Sequence, residues 1–105
     1  MIDIDFQTPV VYFDCLAPVM LDCYGIGAPA LRIHAVSHRR RHIKHVVIAA
    51  FLTGNWPEAG IKDVLRTSTK VIADARADQP AMDEGAAVAW RAHDVWRERL
   101  AKAGD

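Results

Sequence analysis

Acidic residues are missing from a long central part of this chain, since no Asp or Glu occurs between Asp22 and Glu58. Over the whole chain 13 Lys and Arg balance 13 Asp and Glu, so the net charge is zero. The gap in acidic residues shows that the two signs of charge are nevertheless segregated along the chain. Because binding of a charged partner depends on where charge lies, neutrality excludes neither a nucleic acid nor any other anion. The acid-free span holds Arg32, Arg39, Arg40, Arg41 and Lys44.

Cysteines and long apolar runs are also scarce. The 105 residues contain two cysteines, Cys15 and Cys23, which would lie about 12 Å apart on one helix at 1.5 Å rise per residue, too far for a disulfide. We therefore expect two buried free thiols. No apolar run approaches the roughly 20 residues that cross a membrane, and no basic segment follows Met1, so we expect a soluble cytoplasmic protein of one domain.

Turn and cap residues divide the chain into about six pieces of helical length, which predicts an all-α fold. The first runs from Thr8-Pro9 to Tyr24, with Pro18 either kinking or restarting it. A short turn follows at residues 28–32. Ser37 then predicts the start of a long helix from about His38 to Thr53, although the β-branched run at 46–48 leaves a strand as the local alternative.

Two short helices joined by a tight turn are predicted next. Asn55 can cap the first, and Ser68 can cap the second. Apolar residues Ile61, Leu65 and Ile72 would brace the pair, leaving the start of the second helix free to enter a DNA major groove. This pattern is typical of a helix-turn-helix.

A last helix is expected from about Asp83 to Lys102, with acidic residues early and basic residues late, as the helix dipole favours. Val88, Ala92, Val95, Trp96 and Leu100 form its apolar stripe. Trp90 lies off that stripe, so it is either covered by the N-terminal segment or exposed as a partner surface.

The segment YGIGAPALRIHAVSHRRRHIKHVVIAAFLTG, residues 24–54, followed by WPEAG, resembles the C-terminal DNA-binding domain of the bacterial replication initiator DnaA. The resemblance covers roughly residues 16–102 and implies a DnaA-domain-IV-like or tryptophan-repressor-like domain at 16–105 behind an N-terminal extension at 1–15. It also implies that a basic loop at Arg39, Arg40 and Arg41 places one arginine in the minor groove while the others, with Lys44, hold phosphates. No G-x-x-x-x-G-K-[ST] loop occurs, so ATP hydrolysis is not expected.

The chain departs from this family where the DNA sequence would be read. The family begins its recognition helix with Arg-Asp-His-Thr-Thr-Val, whereas this chain has Arg66, Thr67, Ser68, Thr69, Lys70 and Val71. The family's Asp and His are absent. Short hydroxyl side chains suit several base edges and Lys70 suits guanine or a phosphate, which implies a different target or weaker discrimination.

Metal binding and catalysis have weaker support. His34, His38 and His42 are spaced by four, but Ser37 as a cap places His34 outside the helix, and we expect no carboxylate or thiol nearby to complete the ligand shell, so solvated histidines are the preferred interpretation. At lower pH they could strengthen DNA binding. No nucleophile is paired with a base, so we expect neither an enzyme, a cofactor nor a metal.

The sequence thus predicts a small, nucleoid-associated transcription or replication regulator of phage or mobile-element type that binds double-stranded DNA. Its predicted DNA-binding residues are Arg39, Arg40, Arg41, Lys44, Arg66, Thr67, Ser68, Thr69 and Lys70. One alternative is an oligomeric DNA-packaging subunit of the small-terminase kind. Another is a protein-interaction module that presents Tyr12, Phe13, Trp90 or Trp96, or its N-terminal segment, to a partner.

Overall fold

The protein is all-helical over the residues that its computed structural model describes, 8–33 and 37–103. These ranges form six helices and no strand, which confirms the predicted fold class. The helices are α1 (Pro9–Tyr24), α2 (Ala28–Leu31), α3 (His38–Thr53), α4 (Glu58–Leu65), α5 (Thr69–Ala77) and α6 (Gln79–Ala103). None of the helices in the described part of the chain combines the length and apolarity needed to cross a membrane.

Helix α3 forms the centre of the molecule and packs mainly against α6. Every residue from Ile43 to Phe51 is buried, so the helix is covered on all sides over more than two turns. Burial of Val46, Val47 and Ile48 outweighs their low helix propensity, a matter of a few tenths of a kcal/mol each. The strand alternative for this run is therefore wrong.

A glycine makes the close crossing of α6 over α3 possible. A Cβ added to Gly85 would lie 2.8 Å from both the Val46 carbonyl oxygen and the Ala50 amide nitrogen. These are backbone atoms and cannot move aside as a flexible side chain would. The backbones of α3 and α6 come this close because residue 85 has no side chain.

Helix α1 continues through Pro18 without a break. A proline within a helix leaves the carbonyl four residues earlier without its usual donor. Here that carbonyl belongs to Asp14, and it accepts a hydrogen bond from Arg99 Nη2 of α6 at 3.3 Å. The helix therefore neither ends nor restarts at Pro18, which is exposed.

The N-terminal half of α1 belongs to the core. Tyr12 and Phe13 are buried, and the Tyr12 hydroxyl donates to the Ala50 carbonyl at 2.8 Å. The Tyr12 ring meets Phe51 edge to face, with centroids 5.1 Å apart. The expected boundary between an extension at 1–15 and a domain at 16–105 falls inside this helix, so the folded unit includes α1 from its first turn.

Three predicted caps lie where the sequence placed them. The side-chain oxygens of Thr8, Ser37 and Ser68 each accept a backbone N–H three residues later, at 3.2 to 3.3 Å. The predicted cap at Asn55 is wrong. Asn55 has a φ of 61° and lies in the turn that follows α3, and α4 begins at Glu58, directly after Pro57.

The last helix starts four residues before the expected position. Asp78 accepts the Ala81 N–H through its carboxylate at 3.2 Å, and its carbonyl accepts the Met82 N–H at 2.9 Å. Pro80 falls in the first turn, where backbone N–H groups have no acceptor within the helix, so the N–H that proline lacks is not missed. Asp78 therefore starts α6 at Gln79, and Asp83 lies inside the helix.

The two cysteines differ in exposure. Both are free; Cys15 is buried and Cys23 is exposed. The expectation of two buried thiols is therefore wrong for Cys23, whose sulfur lies 2.7 Å from Arg91 Nη1 at the surface between α1 and α6.

Candidate nucleic-acid interface

The three consecutive arginines lie on the first turn of α3 and not in a loop. The helix begins at His38, and Arg39, Arg40 and Arg41 are all exposed. No acidic residue occupies this turn. Because the N-terminus of a helix carries partial positive charge, three cations there oppose the helix dipole, and a bound anion would relieve that repulsion.

The three arginine side chains take different directions, as successive helical residues must at 3.6 residues per turn. Arg39 Nη2 donates to the Tyr24 carbonyl at the end of α1, at 3.0 Å. Arg40 borders a small depression beside Ile33. Arg41 lines a different cavity, beside α5. The predicted basic element is therefore divided among separate surfaces.

Lys44 has a different role from the one predicted. Its side chain is 7% exposed, and its ammonium donates to the carbonyls of Leu31 and Leu65, the latter at 2.8 Å. Burial, and secondarily the charge of Arg32, lowers the pKa of Lys44 to about 8. With two of its three donors directed at backbone carbonyls, Lys44 is a buried structural cation. This burial argues against the predicted phosphate contact at the surface.

Helices α4 and α5 form the predicted pair joined by a tight turn. Ile61, Leu65 and Ile72 are each fully buried and brace the two helices against the core. The turn begins at Arg66, which has a left-handed φ of 52°. The Thr67 N–H then donates to the Lys62 carbonyl at 3.2 Å, closing the end of α4.

The start of α5 is exposed, as the helix-turn-helix interpretation requires. Ser68, Thr69 and Lys70 are all exposed, and Thr67 is half-buried. Lys62 Nζ donates to the Thr69 hydroxyl at 3.3 Å across the turn. Lys70 forms a solvent-exposed ion pair of 3.7 Å with Asp74, one turn along the same helix, which is a weak interaction.

A cavity of about 610 Å³ brings the two predicted elements together. We call it the basic cleft. It lies between α3 and the α4–α5 turn. Six of the nine predicted DNA-binding residues line it, and the other three, Arg39, Arg40 and Thr69, do not. Its lining residues are Arg41, Lys44, His45, Arg66, Thr67, Ser68, Lys70, Val71 and Asp74.

His45 connects the floor of the basic cleft to the start of α6. It is 8% exposed, and its Nδ1 lies 2.9 Å from an Asp78 carboxylate oxygen. This hydrogen bond and the Ala81 N–H lower the pKa of Asp78. The pair fixes the position of α3 relative to the α5–α6 corner, which forms one end of the cleft.

His42, next to the three arginines, has a carboxylate partner. His42 Nε2 lies 2.6 Å from Glu84, whose other oxygen accepts the Tyr24 hydroxyl at 2.7 Å. The expectation that no carboxylate stands near these histidines is wrong for His42, because α6 supplies one. His34 lies outside the described residues. Within 8–33 and 37–103, no three His, Cys, Asp or Glu side chains are grouped as metal ligands.

The chemistry of the buried thiol is unfavourable for nucleophilic attack. Burial raises the pKa of Cys15, although the nearby Arg99 acts in the opposite direction. A raised pKa reduces the thiolate population that would react. The Cys15 side chain therefore serves as a small apolar group in the core.

A second large cavity, which we call the aromatic groove, lies where the end of α3 and the loop before α4 meet α6. It measures about 640 Å³. Trp90 on its rim is 72% exposed and lies edge to face with His93. Trp96 is half-buried. Phe13 is buried away from the groove, whereas Tyr12 is buried and still forms part of its lining.

Sequence reasoning missed the contacts of Lys44, although a signal for its burial exists. Val47, Ile48 and Phe51 stand three, four and seven residues after Lys44, which places all four on one helical stripe. A lysine within such a stripe is buried and needs backbone or carboxylate partners. The Asp78 partner of His45 had no comparable signal because it lies 33 residues away.

Compared with known proteins, the chain matches no family model, no curated protein and no solved structure. The resemblance to the DnaA DNA-binding domain therefore rests on the quoted residues alone, and the function is argued from the geometry of the basic cleft.

Proposed function

We propose that this protein binds double-stranded DNA through the basic cleft and the exposed start of α5, as a small regulator of transcription or replication without ATPase activity. One observation carries the proposal. Arg41 of α3 lines the same cavity as Arg66, Ser68 and Lys70, although at least 25 residues of sequence separate Arg41 from the others. Converging cations and hydroxyls are the groups that contact DNA phosphates and base edges.

The charge around the basic cleft supports an anionic partner. The cleft lining includes one carboxylate, Asp74, and it already lies near Lys70. Arg41 and Arg66 are exposed at its walls. In addition, the arginine-bearing turn of α3 lacks acidic residues that would offset its cations. A polyanion that lies across both elements would neutralise these charges together.

The roles within the proposed interface follow from side-chain direction. Arg41 and Arg66 would hold phosphates. Ser68, Thr69 and Lys70 at the start of α5 would approach the major groove, with Thr67 beside them. Arg39 and Arg40, on other sides of the first turn of α3, would reach flanking phosphates or the minor groove. Lys44 is not part of this contact set.

The test is equilibrium binding of the protein to labelled random duplex and to DnaA-box duplex over a salt series of about 50 to 200 mM. We expect an affinity that falls steeply with salt. Arg41→Ala should weaken binding to both duplexes and reduce the slope of log K against log salt by about 0.9, the loss of one phosphate contact. A preference between the duplexes would measure how far Thr67 and Ser68 have redirected specificity.

Arg97→Ala is the matched control. Arg97 is exposed on α6, about 27 Å along the helix from Gln79, so the substitution removes the same charge far from the basic cleft. It should leave the salt slope unchanged. Equal effects of the two substitutions, or no binding to either duplex at low salt, would overturn the proposal.

A second candidate function, protein interaction, is favoured by the exposure of Trp90 beside the aromatic groove. Tryptophan is enriched at protein interfaces because its large ring offers apolar contact area together with an N–H donor. The protein interaction that is most easily measured is self-association, which an oligomeric DNA-packaging subunit would require. Sedimentation should then show concentration-dependent oligomers that Trp90→Ser abolishes, and a monomer at every concentration would exclude it.

A further inference from the structure

Two cationic side chains bind the carbonyls at the end of α4. Lys44 Nζ donates to the Leu65 carbonyl at 2.8 Å, and Arg32 Nε donates to the neighbouring Val64 carbonyl at 2.9 Å. The last carbonyls of a helix have no intrahelical partner and carry partial negative charge. Lys44 and Arg32 therefore supply hydrogen-bond donors to two carbonyls that receive none from within α4.

The Lys44 ammonium joins three helices at one point. It projects from α3 and also donates to Leu31, the last residue of α2, while Leu65 is the last residue of α4. All three elements meet at a side chain that is 7% exposed. Water therefore has little access to replace these hydrogen bonds, and their loss would leave two carbonyls without donors.

The residue that follows this contact is the first of the proposed recognition turn. Arg66 has a left-handed φ of 52°, a conformation that is strained for a non-glycine residue. A backbone in this strained conformation is kept only where contacts with the surrounding residues fix it. Lys44 holds Leu65 immediately before it, and the Thr67 N–H donates to the Lys62 carbonyl immediately after it.

Lys44 also lies one helical turn from Arg41, on the same helix. Arg41 and Arg66 both line the basic cleft, and the hydrogen bond from Lys44 to Leu65 directly links α3, which carries Arg41, to the end of α4, which Arg66 follows. The spacing of the two arginines is thus set through a buried side chain at the floor of the cleft.

We propose that Lys44 is a positioning residue, which fixes the turn at 66–68 relative to the first turn of α3 and so sets the DNA affinity of the basic cleft without contacting DNA. This inference rests on the proposed function, and it replaces the role that the sequence suggested for the same lysine. A positioning lysine and a phosphate-contacting lysine differ in one measurable property, the number of counterions that DNA binding releases.

The first test compares the wild type with Lys44→Met and Lys44→Arg in the same salt series. Lys44→Met should lower the affinity about tenfold and leave the salt slope unchanged, because no phosphate contact is lost. Lys44→Arg keeps cationic donors and should restore most of the affinity. Lys102→Met removes an exposed lysine near the end of α6 and serves as the control. A slope reduced by about 0.9 in Lys44→Met would identify a direct phosphate contact and overturn the proposal.

A second test needs no DNA and separates the two proposals. The Thr67 amide is hydrogen-bonded within the turn, and the Gly25 amide, which donates to Leu21 at 2.9 Å, reports on the distant end of α1. Lys44→Met should accelerate hydrogen exchange at Thr67 at least tenfold while the Gly25 rate stays unchanged. Faster exchange without DNA binding by the wild type would support positioning and reject the proposed function.

Equal exchange at Thr67 in the wild type and in Lys44→Met would overturn positioning whatever the DNA result. If Lys44→Met does not fold, Lys44→Arg and the wild type still decide the matter. Lys44→Arg must then bind with a wild-type salt slope and keep slow exchange at Thr67, and failure of either would contradict the proposal.

Discussion

His45 Nδ1 lies 2.9 Å from one carboxylate oxygen of Asp78, while the other oxygen accepts the Ala81 N–H at 3.2 Å. A single carboxylate therefore anchors the buried face of α3 and caps α6. This relationship joins the floor of the basic cleft to the longest helix of the molecule, and it explains why α6 starts at Gln79.

Replacing Asp78 should destabilise the protein through both contacts. Asp78→Ala removes an N-terminal cap and the partner of His45, so we expect the free energy of unfolding at neutral pH to fall by about 2 kcal/mol. Chemical denaturation measures this loss. Asp94→Ala, at an exposed position of α6, is the control and should change stability by less than about 0.5 kcal/mol.

The loss in Asp78→Ala should also depend on pH. Because the folded-state pKa of Asp78 is lowered, its carboxylate stabilises the fold at neutral pH, and this contribution is lost as pH falls through the lowered pKa. The difference between the wild type and Asp78→Ala should therefore shrink in acid. A constant difference would show that the charge of Asp78 contributes nothing.

Adding a methyl group to Gly85 should separate α6 from α3. The Cβ of Gly85→Ala would lie 2.8 Å from the Val46 carbonyl oxygen and the Ala50 nitrogen, so the helices must move apart. We expect a loss of at least about 2 kcal/mol, measured by denaturation, despite the higher helix propensity of alanine. Gly27→Ala is the control, because its Cβ would meet only Pro29 at an ordinary 3.8 Å, and a similar loss there would contradict the prediction.

The buried ammonium of Lys44 should make stability rise with pH. Its pKa is about 8 in the folded protein against an ordinary 10.5, so between these values the unfolded chain binds more protons than the folded one. The free energy of unfolding of the wild type, relative to Lys44→Met, should increase by up to about 1.4 kcal/mol per pH unit above pH 8.

Measurements for this prediction should stop near pH 10. Burial raises the pKa of Tyr12 from 10.0 to about 12, so above pH 10 the unfolded chain loses a proton that the folded chain keeps, and stability falls. Parallel stability curves of the wild type and Lys44→Met between about pH 8 and 10 would mean that Lys44 is not buried as described.

Local signals in the sequence predicted much of the fold. Ser37 and Ser68 mark helix starts because a cap needs only its own side chain and a backbone N–H three residues away. The continuity of α1 through Pro18 was not predictable in this way. Pro18 leaves the Asp14 carbonyl without its helical donor, and the replacement donor is Arg99, 85 residues away. No local pattern contains that contact.

The candidate site was predicted in composition but not in arrangement. The arginines of α3 and the residues at 66–70 were identified from charge and from the helix-turn-helix pattern. Their convergence depends on how α3 crosses the α4–α5 pair, which is decided by core packing. The charge of Lys44 favours the surface, whereas its register with Val47, Ile48 and Phe51 favours burial, and the structure follows the register.

The most direct measurement of the central claim is a hydrogen-exchange comparison of the protein with and without a saturating duplex. The proposed function predicts that DNA slows exchange in the first turn of α3 and at residues 66–70, and leaves the rim of the aromatic groove around Trp90 unchanged. Slowing around Trp90 with no change at 66–70, or no change anywhere under conditions that saturate other DNA-binding proteins, would contradict it.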